Sequence, residues 1–206
     1  MRRQVGSIRT NSLCIGCNRC IASCPVPGAN LSRVRGERHH IEIDDDRCVH
    51  CGLCLTACKH QAREYADDTE AFFSALAAGR TISLAIDPSF RLWYPERLEM
   101  LLGYLRSLGV GRIYDVSFGA DICTWATLRV WDEQPQAHWI TSDCPTVVSV
   151  IEKFHPELFD FLLPVLSPLL CTAVYADKYL GDSADIAYIG PCIAKRDEVG
   201  ENPAGR

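Results

Sequence analysis

The chain has 206 residues, 48% hydrophobic and 23% charged, with 12 cysteines and a formal net charge of −5. Those fractions exclude a disordered or fibrous protein, and the acidic balance gives no support to nucleic-acid binding. The cysteines are uneven: eight of the twelve lie between Cys14 and Cys58, which argues for two regions of different chemistry.

The start, MRRQVGSIRTNSLC, has no apolar stretch behind Arg2 and Arg3, so no secretory signal is visible. The longest uncharged run, FLLPVLSPLLCTAVYA, is short for a bilayer and is broken by Pro164 and Pro168, so no membrane span is expected. A cytoplasmic location follows as the expectation, where metal or redox use of cysteine outweighs structural disulfides.

The first region reads Cys14-x2-Cys17-x2-Cys20-x3-Cys24-Pro25, then Cys48-x2-Cys51-x2-Cys54-x3-Cys58-Lys59, a repeat offset by 34 residues at all four positions. Three cysteines two residues apart can wrap one side of a cubane cluster, while the fourth points away and serves the other repeat. The pattern therefore predicts one 4Fe-4S cluster on Cys14, Cys17, Cys20 and Cys58, and a second on Cys48, Cys51, Cys54 and Cys24. Gly16 and Gly52 are expected to let the loops turn tightly, and Pro25 to lead the chain away. Zinc competes for Cys-x2-Cys pairs, but its sites usually use two separated pairs and not a triplet.

Between the repeats, RVRGERHHIEIDDD predicts a hairpin turning at Gly36. Arg33, Arg35, Arg38, His39 and His40 form either a docking patch for an acidic partner or a solvated hairpin face. Two such clusters serve the passage of single electrons, to or from a redox partner protein such as a ferredoxin or a signalling protein.

From residue 66 the texture becomes alternating helix and strand. DDTEAFFSALAAG predicts a helix with Phe72, Phe73 and Leu76 apolar, and TISLAID a buried strand ending before Pro88. PERLEMLLGYLRSLG aligns Leu98, Leu101, Leu102, Leu105 and Leu108 on one helical face, stopped by Gly109. RIYDVSF, HWITSD and DIAYIG read as strands, GADICTWATLRVW and VVSVIEKF as helices. The predicted architecture is an α+β ferredoxin-like two-cluster domain over residues 1–65, followed over 66–206 by an α/β domain with a mainly parallel sheet. Cys144 and Cys192 fall in loops after predicted strands, where such sheets bind ligands. Cys123 and Cys171 lie within helical patterns and are expected in the core.

These residues resemble the iron-only (FeFe) hydrogenases. ITSDCP-TVVSVIEKFHPEL is similar to that family's first cluster motif, T-S-C-C-P followed by a helix, and IGPCIAKRDEV to its second, P-C-x-x-K-x-x-E. SPLLCTAVY, ISLAIDPSF and IYDVSFGADICTWA resemble three further segments, so five match in order. The resemblance implies a third 4Fe-4S cluster bridged to a di-iron unit, with Cys144 and Cys192 as two ligands. It implies that Lys195 donates a hydrogen bond to a cyanide, and that Pro88 and Ser89 lie against the di-iron unit.

Two departures bear on activity. Asp143 stands where catalytic members carry the cysteine that relays protons, and Ala126 and Thr127 stand near a glutamate pair of the relay. The motif that brings the other two ligands is absent before Arg206, so a truncated chain is expected. These departures resemble the sensory branch, with slow interconversion of hydrogen with protons and electrons. A non-enzymatic electron carrier or interaction module, and an iron–sulfur assembly scaffold, are the alternative readings.

Overall fold

The computed structural model describes residues 8–36 and 38–201. In chain order its elements are β1 (Ile8–Thr10), α1 (Arg19–Ala22), β2 (Asn30–Arg35), β3 (Arg38–Ile43), α2 (Leu53–Ala57) and β4 (Arg63–Tyr65). They continue as α3 (Thr69–Ala77), β5 (Ile82–Ile86), α4 (Ser89–Trp93), α5 (Leu98–Ser107), β6 (Ile113–Asp115), α6 (Val116–Glu133) and α7 (Pro145–Phe154). A 3-10 turn (Pro156–Phe161), α8 (Pro168–Leu180), β7 (Asp185–Ile189) and α9 (Lys195–Glu201) follow. The chain divides into two units. The first runs to Asp67 and takes in Pro145–Pro156 and Ile193–Asp197; the second holds Asp68–Cys144, Glu157–Cys192 and the chain from Glu198.

In the first unit, strand pairing crosses between the two halves of the cysteine repeat. β1, which precedes the first cysteine loop, pairs antiparallel with β4, which follows the second. β2 and β3 pair in the same crossed sense and form the predicted hairpin, with Gly36 in the left-handed region (φ 63°). The 34-residue offset extends to the backbone. Asn18 and Gly52, one offset apart, are both left-handed N-caps, of α1 and α2 respectively. Gly16 and His50, also one offset apart, share positive φ. Glycine thus stands at a different one of two left-handed positions in each loop, and a polar residue bears the cost at the other. At Gly16 the demand is doubled, because an added Cβ would lie 2.5 Å from the Cβ of His39.

Ile8, Cys20, Ile41 and Cys54 form one core cluster of this unit. A second joins Val26, Ala29 and Val49 to Val150 and Phe154 of α7. That helix is drawn in by its apolar face and by Arg47, whose guanidinium stacks over the Phe154 ring at 5.2 Å.

The second unit is built on a three-stranded parallel sheet in the order β6-β5-β7. Every residue of β5 is buried, as a central parallel strand covered on both faces requires. Its alternation sends Leu84 and Ile86 toward Leu105 of α5 and the partly buried Phe72 and Leu76 of α3. Ala85 faces the other way, against Val116 of α6 and Leu169 of α8. Helices α6 and α8 pack at Gly119, where a Cβ would meet the Pro168 carbonyl oxygen at 2.0 Å.

Three local expectations are altered. Phe73, expected on the apolar face of α3, is exposed. RIYDVSF is strand only to Asp115, because the Asp115 carboxylate accepts from the Ser117 amide at 2.9 Å and caps α6 from Val116. HWITSD stays outside the sheet and makes one parallel bridge, Ile140 to Leu162. Its backbone is taken up locally: the Ile140 amide donates to Phe161 O, and the Ser142 hydroxyl to the Leu163 and Val165 carbonyls. No described helix is long and apolar enough to cross a membrane.

Candidate metal centre

Cys14, Cys17, Cys20 and Cys58 line one pocket, together with Ile15, Ile41 and Arg63. Strand pairing accounts for the meeting: Cys14 follows β1, Cys58 precedes β4, and the Thr10–Arg63 register brings their flanks together. Exposure follows the repeat after its first position: Cys17 and Cys51 are exposed, Cys20 and Cys54 buried, and Cys24 and Cys58 half-buried, while Cys14 is half-buried and Cys48 buried. Among the described residues, no three His, Cys, Asp or Glu side chains converge closely enough for a single metal ion.

The sulfurs of this pocket are met by donors. The Ala62 amide donates to Cys58 Sγ at 3.3 Å, and Arg63 Nη2 to Cys20 Sγ at 3.0 Å. Arg63 is 7% exposed and its Nη2 also donates to Asn30 Oδ1 at 2.6 Å, while its Nη1 is buried with no hydrogen-bond partner. A buried cation set against sulfur suits a pocket that receives negative charge, as thiolates around iron would bring. The residues present therefore fit an anionic iron–sulfur group.

Around the second triplet, the β2–β3 hairpin brings the chain after Cys24 beside the chain before Cys48. The Asp44 amide donates to Ala29 O at 3.0 Å and the Cys48 amide to Asp44 O at 2.8 Å. Burial pushes the Cys54 thiol up to about 11, with Arg63 opposing and Cys48, Cys51 and Cys20 adding to the rise. Metal binding there must therefore release the proton. Lys153 of α7 donates to Cys48 O at 2.6 Å and to Asp45 O at 3.3 Å. His50 is buried between Cys48 and Cys51, and its Nδ1 lies 2.5 Å from Asp197 Oδ2. Burial lowers the His50 ring, but the Asp197 carboxylate and the Cys48 thiol outweigh it and raise it to about 9.

In the second unit, Pro88 and Ser89 follow the carboxyl end of β5, and Cys192 follows that of β7, on the same sheet edge. The Ser89 amide and the Tyr188 hydroxyl both donate to the Asp87 carboxylate, at 2.9 and 2.8 Å. Cys144 and Cys192 are exposed. Asp143 accepts from the Cys123 thiol at 3.4 Å, and Cys123 and Cys171 are buried as expected of core residues. Lys195, half-buried at the start of α9, falls in the Ile193–Asp197 segment of the first unit. Of the hairpin's charged residues, Arg33 lies 4.0 Å from Glu42, while the side chains of Arg35 and Arg38 fall outside the described residues.

Sequence reading did not single out Arg63, His50, Lys153 or Asp197. Arg63 and His50 carry a faint signal, standing close to cysteines of the repeat; Lys153 and Asp197 carry none, since their partners lie more than a hundred residues away.

Profiles of two known families match this chain. The profile of the family described as iron only hydrogenase large subunit, C-terminal domain, matches residues 76–205, and that of a 4Fe-4S dicluster domain matches residues 13–62. The chain belongs to the iron-only hydrogenase large-subunit family and is an iron–sulfur-binding, hydrogenase-like protein. Iron hydrogenase 1 of Clostridium pasteurianum is 28% identical over 77% of this chain and 39% of its own length. The chain thus spans about two fifths of that relative. A solved [FeFe]-hydrogenase structure, from work on oxygen inactivation through damage to the 2Fe subcluster of its H cluster, superposes with a TM-score of 0.54 at 21% identity. That match covers 65% of this chain and 41% of the hydrogenase, and shows the fold.

Proposed function

We propose that this chain holds two 4Fe-4S clusters and passes single electrons within a hydrogenase of sensory type. Residues 1–65 are read as the electron-transfer module and 66–206 as part of the hydrogen-activating domain. The first cluster is assigned to Cys14, Cys17, Cys20 and Cys58, the second to Cys48, Cys51, Cys54 and Cys24. The observation that carries this reading is the single pocket lined by all four cysteines of the first set.

Clusters of this kind supply reversible one-electron storage at potentials set by burial, hydrogen bonds to sulfur and nearby charge. The chain's own contribution is to fix the thiolates and supply donors: the Ala62 amide to Cys58 and the Arg63 guanidinium to Cys20. A redox partner protein, itself oxidised or reduced by one electron, completes the exchange.

In the second unit, Cys144 and Cys192 are read as two ligands of a further 4Fe-4S cluster linked to a di-iron unit. Pro88 and Ser89 are read as flanking that di-iron group. The sensory assignment rests on Asp143, together with Ala126 and Thr127 on α6. An aspartate engaged by Cys123 suits slow turnover in detection more than rapid proton supply.

The test is anaerobic reconstitution followed by iron and sulfide analysis. About eight of each per chain are expected, falling to about half in Cys17→Ala and in Cys51→Ala. Zinc in place of iron, or four of each in the parent chain, would overturn the assignment. For the further cluster, the native protein supplied with a di-iron unit should show infrared CO and cyanide bands that are lost in Cys144→Ala and Cys192→Ala. Bands that persist in both variants would remove those residues from the site.

A further inference from the structure

Arg63 is the one buried arginine of the described chain, and its partners are unusual for a buried cation. Its Nη2 is shared between the neutral Asn30 side chain and Cys20 Sγ, and none of the described ion pairs includes it. Removing a guanidinium from water is costly, so such groups are normally set against a carboxylate. Here the compensating charge must come from sulfur, and Arg63 lines the pocket with Cys14, Cys17, Cys20 and Cys58. Nη1, buried and without a protein acceptor, leaves a second donor available there.

We propose that Arg63 is an electrostatic positioning residue that makes the cluster of Cys14, Cys17, Cys20 and Cys58 the more readily reduced of the two. The inference rests on the two-cluster reading. Reduction adds one electron, taken from a one-electron donor, and makes or breaks no bond to Arg63. It raises by one unit the negative charge that the fixed guanidinium faces. A cation held against Cys20 favours the reduced form, and burial keeps that attraction from being screened by water or salt. The other set meets the His50 ring, which bonds to Cys48, but the Asp197 carboxylate lies 2.5 Å from that ring, whereas none of the described ion pairs gives Arg63 a carboxylate. Position 29, one repeat offset before Arg63, is Ala29, which carries no charge. Arg63 also acts on Cys54, by charge alone and without the hydrogen bond it makes to Cys20, so the second cluster should respond in the same direction but less.

Asn30 matters as the second half of the device. Its side-chain oxygen orients the guanidinium without neutralising it, which a carboxylate at the same place would do.

The experiment is a redox titration followed by electron paramagnetic resonance on the anaerobically reconstituted protein. Iron and sulfide content is measured first, so that failure to hold two clusters counts against the functional reading and not against Arg63. In Arg63→Gln the higher of the two potentials should fall by about 60 mV or more, a tenfold loss in the reduction equilibrium for one electron. The lower potential should move less. Arg63→Lys, which keeps a charge but loses the fork, should fall by a smaller amount. Asn30→Asp, close to isosteric, should lower the same potential with the arginine in place, and it decides the matter if Arg63→Gln does not retain its iron. Potentials that stay unchanged, or that move equally, in variants still carrying both clusters would overturn the proposal.

Discussion

His50 and Asp197 stand 147 positions apart in sequence, and the carboxylate of one lies 2.5 Å from the imidazole of the other. The pair ties the second cysteine loop to the segment that opens α9, and both belong to the same unit. His50 is 7% exposed and holds a left-handed backbone conformation, so its ring cannot turn to solvent to find another partner. Asp197→Asn should cost about 1–3 kcal/mol, the penalty for weakening a charged hydrogen bond at a buried group. Denaturant midpoints of the loaded protein measure it, and an unchanged midpoint would show the pair to be idle.

Thiol chemistry separates the four cysteines outside the repeat. Burial pushes Cys123 up to about 12, helped by the Asp143 carboxylate, and burial likewise raises Cys171. At about pH 8.5, alkylation of the folded chain should mark the exposed Cys144 and Cys192 and spare these two. Asp143→Asn removes the carboxylate and should speed Cys123 alkylation, about tenfold for each unit by which the thiol falls. The sign for stability follows from a folded value above the unfolded one. The contribution is intact below about pH 8.5 and is lost as pH rises toward 12. Equal labelling of all four thiols in the folded state would contradict the burial.

Gly119 is the contact point of α6 and α8. An alanine there would place its Cβ 2.0 Å from Pro168 O and 2.2 Å from Thr172 Oγ1, neither of which can give way cheaply. The helices must separate, and Gly119→Ala should lose about 1–3 kcal/mol as overpacking does. Thermal unfolding followed by circular dichroism reads this directly. A melting temperature equal to that of the parent would show that the helices part freely.

Lys153 anchors α7 to the second loop through the Cys48 and Asp45 carbonyls. Lys153→Met keeps most of the stem but removes the donor, and should cost about 1 kcal/mol. It should also hasten iron loss to a chelator, because the backbone at Cys48 is released. Iron retained at the parent rate would show that the loop holds itself.

Much of the second unit is legible along the chain. The leucine spacing of α5 is local information, and so is the unbroken apolar run of β5, because periodicity and burial coincide when one face meets one core. HWITSD misleads for the opposite reason. Its alternation is compatible with a strand, but its partners are the carbonyls and amides of residues 161–165, a neighbour no local pattern names.

In the first unit the spacing of the cysteines, repeated after 34 residues, was enough to pair each triplet with the distant fourth cysteine as an expectation. The glycines misstate the symmetry, since Gly16 and Gly52 occupy different places in the repeat and Asn18 and His50 take up the remaining left-handed positions.

What the sequence determined by itself is therefore the inventory: eight thiols in a doubled pattern, a parallel α/β region after them, and the family resemblance in five ordered segments. What only the tertiary structure decided is the electrical surroundings of those thiols. Whether Arg63 is a solvated charge or a buried donor to Cys20, and whether His50 finds a carboxylate, depends on strand pairing and on a segment near residue 197. Burial and charge compensation are properties of neighbours in space, and chain order does not encode them one residue at a time.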